Sequence, residues 1–146
     1  MSKFESSVIK IYYKFIEDHN LLIQKVTGEW STKDYIDYIN KTLNDKKMIH
    51  VKKIFSDLTD VNLENAFKDI DLLIDLREKM INLDYINVNI VNSPTSTVVT
   101  HMYQDKIAQN GFPNHHYCSS INTALTLLGL DMSDHEMEDL LKKIKN

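Results

Sequence analysis

From Val8 to Ile16 the chain alternates, with Ile9, Ile11, Tyr13 and Phe15 on one side and Lys10, Tyr12 and Lys14 on the other. Successive side chains of an extended strand point to opposite faces, so this alternation predicts a half-buried β-strand. Glu17-Asp18-His19-Asn20 reads as a turn and Leu21–Val26 as a second strand. Together they predict a β-hairpin at the start of the domain.

Beyond the hairpin the apolar period changes to that of a helix. Ser31 is a good N-cap with Asp34 three residues later, and Trp30 and Tyr35 are spaced to pack as a hydrophobic staple. The stripe Ile36, Ile39, Leu43 then faces a core. Val51–Phe55 predicts a short strand ending near Asp57. A second helix is expected from about Glu64 to Leu83, with Phe67, Ile70, Leu73, Ile74 and Ile81 inward. Ile86–Val91 predicts the next strand. Ser93 caps a third helix with Pro94 at its first position, and Val98, Val99, Met102, Tyr103 and Ile107 form its expected buried side. Gly111 and Pro113 mark a break, and His115–Cys118 is a short strand. Ile121–Leu128 is a helix closed by Gly129. Ser133 and Glu136 form a capping box for a final helix carrying Met137, Leu140, Leu141 and Ile144, expected to pack on the domain. Strands separated by single helices imply right-handed parallel crossovers. The expected fold is therefore α/β: a mixed sheet of about five strands with an N-terminal hairpin, flanked by helices.

Composition narrows the function classes. A chain of 146 residues, 42% of them apolar, fits one domain with a real core. No apolar run approaches the roughly 20 residues that cross a bilayer, and the polar stretch Met1–Ser7 does not resemble a signal peptide. A cytoplasmic location is the default expectation. The lone cysteine, Cys118, cannot form an internal disulfide. The net charge is −4 with Lys interspersed among Asp and Glu, so no basic stripe exists to neutralise phosphates and nucleic acid is not an expected partner.

Three segments resemble one family. They are Val26-Thr27-Gly28-Glu29-Trp30-Ser31, Ile54-Phe55-Ser56-Asp57-Leu58-Thr59-Asp60-Val61 and Val91-Asn92-Ser93-Pro94. With the element order β-β-α-β-α-β-α-β-α, they resemble the STAS domain superfamily, and most of all its SpoIIAA-like branch of small bacterial proteins, often labelled STAS/SEC14-like. The resemblance runs from Val8 to Leu130 and implies a single STAS-like domain over residues 1–146. Members that antagonise anti-sigma factors carry a switch serine after an Asp-Leu-Ser opening. Asp57-Leu58-Thr59 matches that opening, but Glu64-Asn65-Ala66-Phe67 stands where the serine is expected and offers no hydroxyl. The resemblance thus implies the fold without the phospho-switch.

Several clusters invite chemistry, each with a plainer account. Asp57 and Asp60, at a strand's C-terminal end, sit where open α/β sheets place ligands, and could hold Mg²⁺ or act in acid–base work. The plainer account is that they cap the loop and the following helix. Ser93-Pro94-Thr95 opens a helix whose free N–H groups could receive an anion, or Ser93 simply caps it. His115 and His116 are adjacent on a strand and so cannot both face one ion; His116 and Cys118 share a face, and His101 could approach. The ligand count falls short of a closed zinc site, so no metal or other cofactor is expected. Arg77 is the one arginine and falls on the apolar stripe of the second helix. The plainer account lays its stem over the core edge with its head in water; the alternative is a guanidinium that binds a carboxylate.

Two readings follow. The first is a non-enzymatic regulatory or protein-interaction module, acting on a protein partner or a second copy of itself. The second is a carrier of a small apolar, lipid- or acyl-type ligand, for which a large apolar pocket between helices and sheet would be the sign. A functional surface is expected at the sheet's C-terminal edge: Asp57, Thr59, Asp60, Asn92, Ser93 and Thr95.

Overall fold

The hairpin forms as expected, and a further strand precedes it. In the computed structural model, which describes residues 2–6, 8–80 and 84–145 and only the backbone of Leu43, β1 (Ser2–Glu5), β2 (Ile9–Ile16) and β3 (Leu21–Glu29) run antiparallel in turn. Ile9, Ile11 and Tyr13 are buried, as their alternation requires. The turn is a short 3-10 segment, Glu17–His19, closed by Asn20 at φ 51°, a left-handed conformation that Asn tolerates. β1 escapes sequence reading because its outward residues, Lys3 and Glu5, pair with each other at 3.1 Å and make the segment look like a polar terminus. The sheet therefore has six strands where about five were expected, in the order β1-β2-β3-β4-β5-β6.

β3 outruns its expected end at Val26. Gly28 adopts φ +96° beside the Val8 carbonyl, where a Cβ would collide, and Glu29 N–H donates to that carbonyl oxygen at 2.9 Å. β4 (Lys53–Asn62) is correspondingly longer than the strand read from the sequence. The extension of β3 gives it a parallel partner as far as Glu29 opposite Asn62, so Asp57 lies inside the strand and not at its end. β5 (Ile86–Ile90) and β6 (His115–Cys118) continue the parallel half, with Ser56 opposite Asn89 and Val88 opposite His116.

Helices cover both faces. α4 (Ile121–Leu128) and α5 (Asp134–Lys145) bury Leu125, Leu128, Met137 and Leu141 against Leu21, Ile23, Phe55 and Val88. Gly129 ends α4 at φ 64°. Ser133 and Glu136 cap α5 reciprocally, at 3.1 Å from Glu136 N to Ser133 Oγ and 3.4 Å from Ser133 N to Glu136 Oε1. On the other face lie α1 (Thr32–Leu43), α2 (Ile70–Lys79) and α3 (Pro94–Gln109). Ser31 caps α1 through the Asp34 N–H, and the Trp30 and Tyr35 rings stack with centroids 4.7 Å apart.

Two helices depart from expectation. The second helix starts at Ile70, after a 3-10 segment, Glu64–Asp69. Three residues per turn there rotate Phe67 outward, to 39% exposed, and bury Ala66 in its place. Ile81 and Leu83 lie outside the described residues. On α3, Val99 and Ile107 are buried, but Val98 and Met102 are exposed and Ser96 and Thr100 point inward instead. The Thr100 hydroxyl donates to the Ser96 carbonyl at 2.8 Å, which lets a polar side chain be buried without an orphaned group. No helix among the described residues is long and apolar enough to cross a membrane.

Candidate functional site

The sheet face beneath α1, α2 and α3 carries two cross-strand rows. One runs Leu22, Ile54, Asn87, His115; the next runs Gln24, Ser56, Asn89, Tyr117. A row of polar side chains in the middle of a buried face needs internal partners. Gln24 Nε2 donates to Ser56 Oγ at 2.7 Å, and the Tyr38 hydroxyl donates to Gln24 Oε1 at 2.6 Å. The Asn87 amide donates to Asn89 Oδ1 at 3.4 Å.

Above these rows the helices do not close on the sheet. A cavity of about 110 Å³ remains, walled by apolar side chains such as Trp30, Ile39, Met48, Leu73, Leu76 and Val99. The small inward residues Ala66 and Thr100 also line it.

Arg77 and His115 stand among the lining residues. Arg77 is only 6% exposed, so the expectation that its head reaches water is corrected. Its Nε–H donates to His115 Nε2 at 3.1 Å and its Nη1 to the Met80 carbonyl at 3.1 Å. The guanidinium carbon lies 4.6 Å from the Tyr85 ring centre and 4.3 Å from that of Phe112. A flat, weakly hydrated cation between two ring faces is the arrangement that makes a buried arginine tolerable.

His115 is 4% exposed, with the Tyr85 and Tyr103 rings edge-on to it. Burial, then the Arg77 charge, then His116 push its pKa down to about 4, so the ring is neutral near pH 7. A neutral imidazole carries one proton. Nε2 accepts from Arg77, so that proton is assigned to Nδ1. Nδ1 is buried and has no hydrogen-bond partner among the described residues. Burial raises the pKa of Tyr35, Tyr85 and Tyr103, which also line the cavity.

The residues expected at the sheet edge fall into two groups. Asp57, Thr59 and Asp60 gather on β4. Lys25, itself buried on β3, lies 2.8 Å from Asp57 Oδ2 and 2.9 Å from Asp60 Oδ2. Asp57 Oδ1 accepts from the Thr59 N–H and hydroxyl at 2.9 and 2.7 Å. Burial works to lower the Lys25 pKa, but its hydrogen bonds to the two aspartates outweigh this and raise it; the same contact lowers that of Asp60. The second group is Asn92, Ser93 and Thr95. Ser93 Oγ accepts from the Ser96 N–H at 3.1 Å, while Asn92 and Thr95 are exposed. Among the described residues no hydrogen bond or ion pair joins the two groups.

His116 and Cys118 turn to the opposite face from His115, where Cys118 packs with the α4–α5 cluster and its thiol donates to the Ser120 carbonyl at 3.4 Å. His101 approaches Tyr117, at 2.9 Å, and Asp105, at 3.3 Å. No group of three His, Cys, Asp or Glu among the described residues comes together to hold a metal ion.

Sequence reasoning singled out Arg77 but not the cavity. The signal for it was polar residues set inside apolar strands: Gln24 in Leu21–Val26, and Asn87 and Asn89 in Ile86–Ile90. The chain matches no family model and no curated protein sequence.

Proposed function

We propose that this chain is a non-enzymatic, STAS-like binding module whose interior cavity holds a small molecule with a largely apolar body. The observation that supports this reading is the cavity itself: about 110 Å³ with apolar walls and a few fixed polar groups. Small-molecule sites have this make-up, since apolar walls provide affinity and a few placed donors and acceptors fix orientation. Of the two readings drawn from the sequence, it favours the small apolar ligand.

The ionisable groups in the cavity suit binding better than catalysis. The tyrosines titrate above their usual range and His115 well below its own, so none of them exchanges a proton readily near neutral pH. Binding of this kind would give a regulatory role a physical basis, because a ligand wedged between α1–α3 and the sheet stabilises the form that contains it.

NMR titration with toluene tests the reading. Toluene is expected to shift signals of Leu76, Val99 and Ala66, and the cavity-filling Ala66→Leu is expected to abolish those shifts. A parent protein in which neither toluene nor a small acid with an apolar body perturbs these residues would refute the proposal.

A further inference from the structure

We propose that the molecule held in the cavity is a small monocarboxylic acid, with its carboxylate received by the Nδ1–H of His115 beside the Arg77 guanidinium. This rests on the cavity being a binding site and names the chemistry that the site selects.

Three observations carry it. The first is the orphaned donor. Nε2 of His115 is committed to the Arg77 Nε–H at 3.1 Å, which leaves Nδ1–H as the free donor of a ring that is 4% exposed. A buried donor without an acceptor costs free energy that an incoming acceptor oxygen recovers. The second is charge. Among the described lining residues Arg77 is the charged one, and none of them is Asp or Glu. The field of its positive charge reaches His115, whatever hydrogen bonds the guanidinium makes, and an anion brought beside a buried cation loses less than one buried alone. The third is shape. About 110 Å³ is comparable to an apolar cavity of about 150 Å³ that accepts benzene, so the body of the acid is limited to a small ring or a short chain. Trp30, Ile39, Leu73 and Leu76 offer that body an apolar wall.

The imidazole is a positioned donor here and the guanidinium a positioned charge; no bond is made or broken. Water alone would leave the acid preference absent, which the test reads directly.

Isothermal titration at pH 7 with benzoate, pentanoate and toluene separates the possibilities, with benzoate and pentanoate distinguishing aromatic from aliphatic acids. At least one acid is expected to bind about tenfold or more tightly than toluene, as a hydrogen bond to a charged group is worth that much. His115→Met removes the Nδ1 donor and puts no other N–H in its place, and is expected to lose that preference while still binding toluene. The ¹⁵N signal of His115 Nδ1 in the parent protein is expected to shift on saturation with the preferred acid, a readout that does not depend on the variant folding. Toluene binding with no acid preference, or an acid that leaves the Nδ1 signal unmoved, would overturn the carboxylate inference and leave the cavity reading standing. Failure of toluene and both acids together would overturn both.

Discussion

Lys25 and Asp57 face each other across the central parallel ladder, Nζ to Oδ2 at 2.8 Å, and both are more than nine-tenths buried. Their neighbours in sequence, Gln24 and Ser56, form the next cross-strand pair on the opposite face of the sheet. The two middle strands are thus pinned by one ion pair below and one amide–hydroxyl pair above. A slip of register would break both, which is the best-attested use of buried polar pairs.

Removing the cation should be costly and removing the outer carboxylate cheap. Lys25→Met leaves Asp57 buried without its cation and is expected to lose about 3–5 kcal/mol in urea unfolding. Asp60 is exposed, its side chain at 56%, so Asp60→Asn is expected to cost under about 1 kcal/mol. Equal losses for the two variants would show that the pair contributes no more than a surface contact.

His115 should make stability fall in mild acid. Its folded pKa of about 4 lies below its ordinary value of 6.5, so the unfolded chain binds the extra proton first. Stability is therefore full above about pH 6.5 and is lost as pH falls towards 4, by roughly 3 kcal/mol from this group. His115→Gln removes that slope. Parallel stability–pH curves for parent and variant would contradict the assignment of a neutral buried ring.

The Tyr38 hydroxyl is a structural donor. Tyr38 is fully buried and donates to Gln24 Oε1 at 2.6 Å. Tyr38→Phe leaves the amide oxygen short of its donor and is expected to cost about 1–3 kcal/mol in chemical denaturation. No change in the midpoint would mean that Gln24 finds another donor.

Phe55 and Phe67 should behave as opposites. Phe55 is completely buried under α4 and α5, and Phe55→Ala is expected to cost about 3–5 kcal/mol. Phe67 is 39% exposed on the 3-10 segment, and Phe67→Ala is expected to cost under about 1 kcal/mol by thermal unfolding.

What could be read from the sequence was local. Ser31, Ser93 and Ser133 begin their helices, and Gly129 ends one, by bonds to residues three or four positions away, so these caps emerge directly. Period two at Ile9–Ile16 likewise needs only the segment itself. What could not be read depends on distant partners. Asp57 looks like a loop residue until Lys25 neutralises it from the next strand, and β4 then continues past it. Thr100 looks like part of the outer face of α3 until its hydroxyl's bond to the Ser96 carbonyl allows it inward. Arg77 is buried by groups from separate parts of the chain, Tyr85, Phe112 and His115, and no spacing within α2 announces them. The cavity is a gap between elements, left where small and polar residues face one another, and only the polar positions within β3 and β5 hinted at it.

Because the six strands lie side by side in chain order, each newly synthesised segment finds its ladder partner already made. The sheet can therefore grow from its N-terminal edge as the chain emerges. α5 is the exception. It returns across β2 and β3 to cover Leu21 and Ile23, so that face stays open to water, and to other nascent chains, until synthesis has reached Lys145.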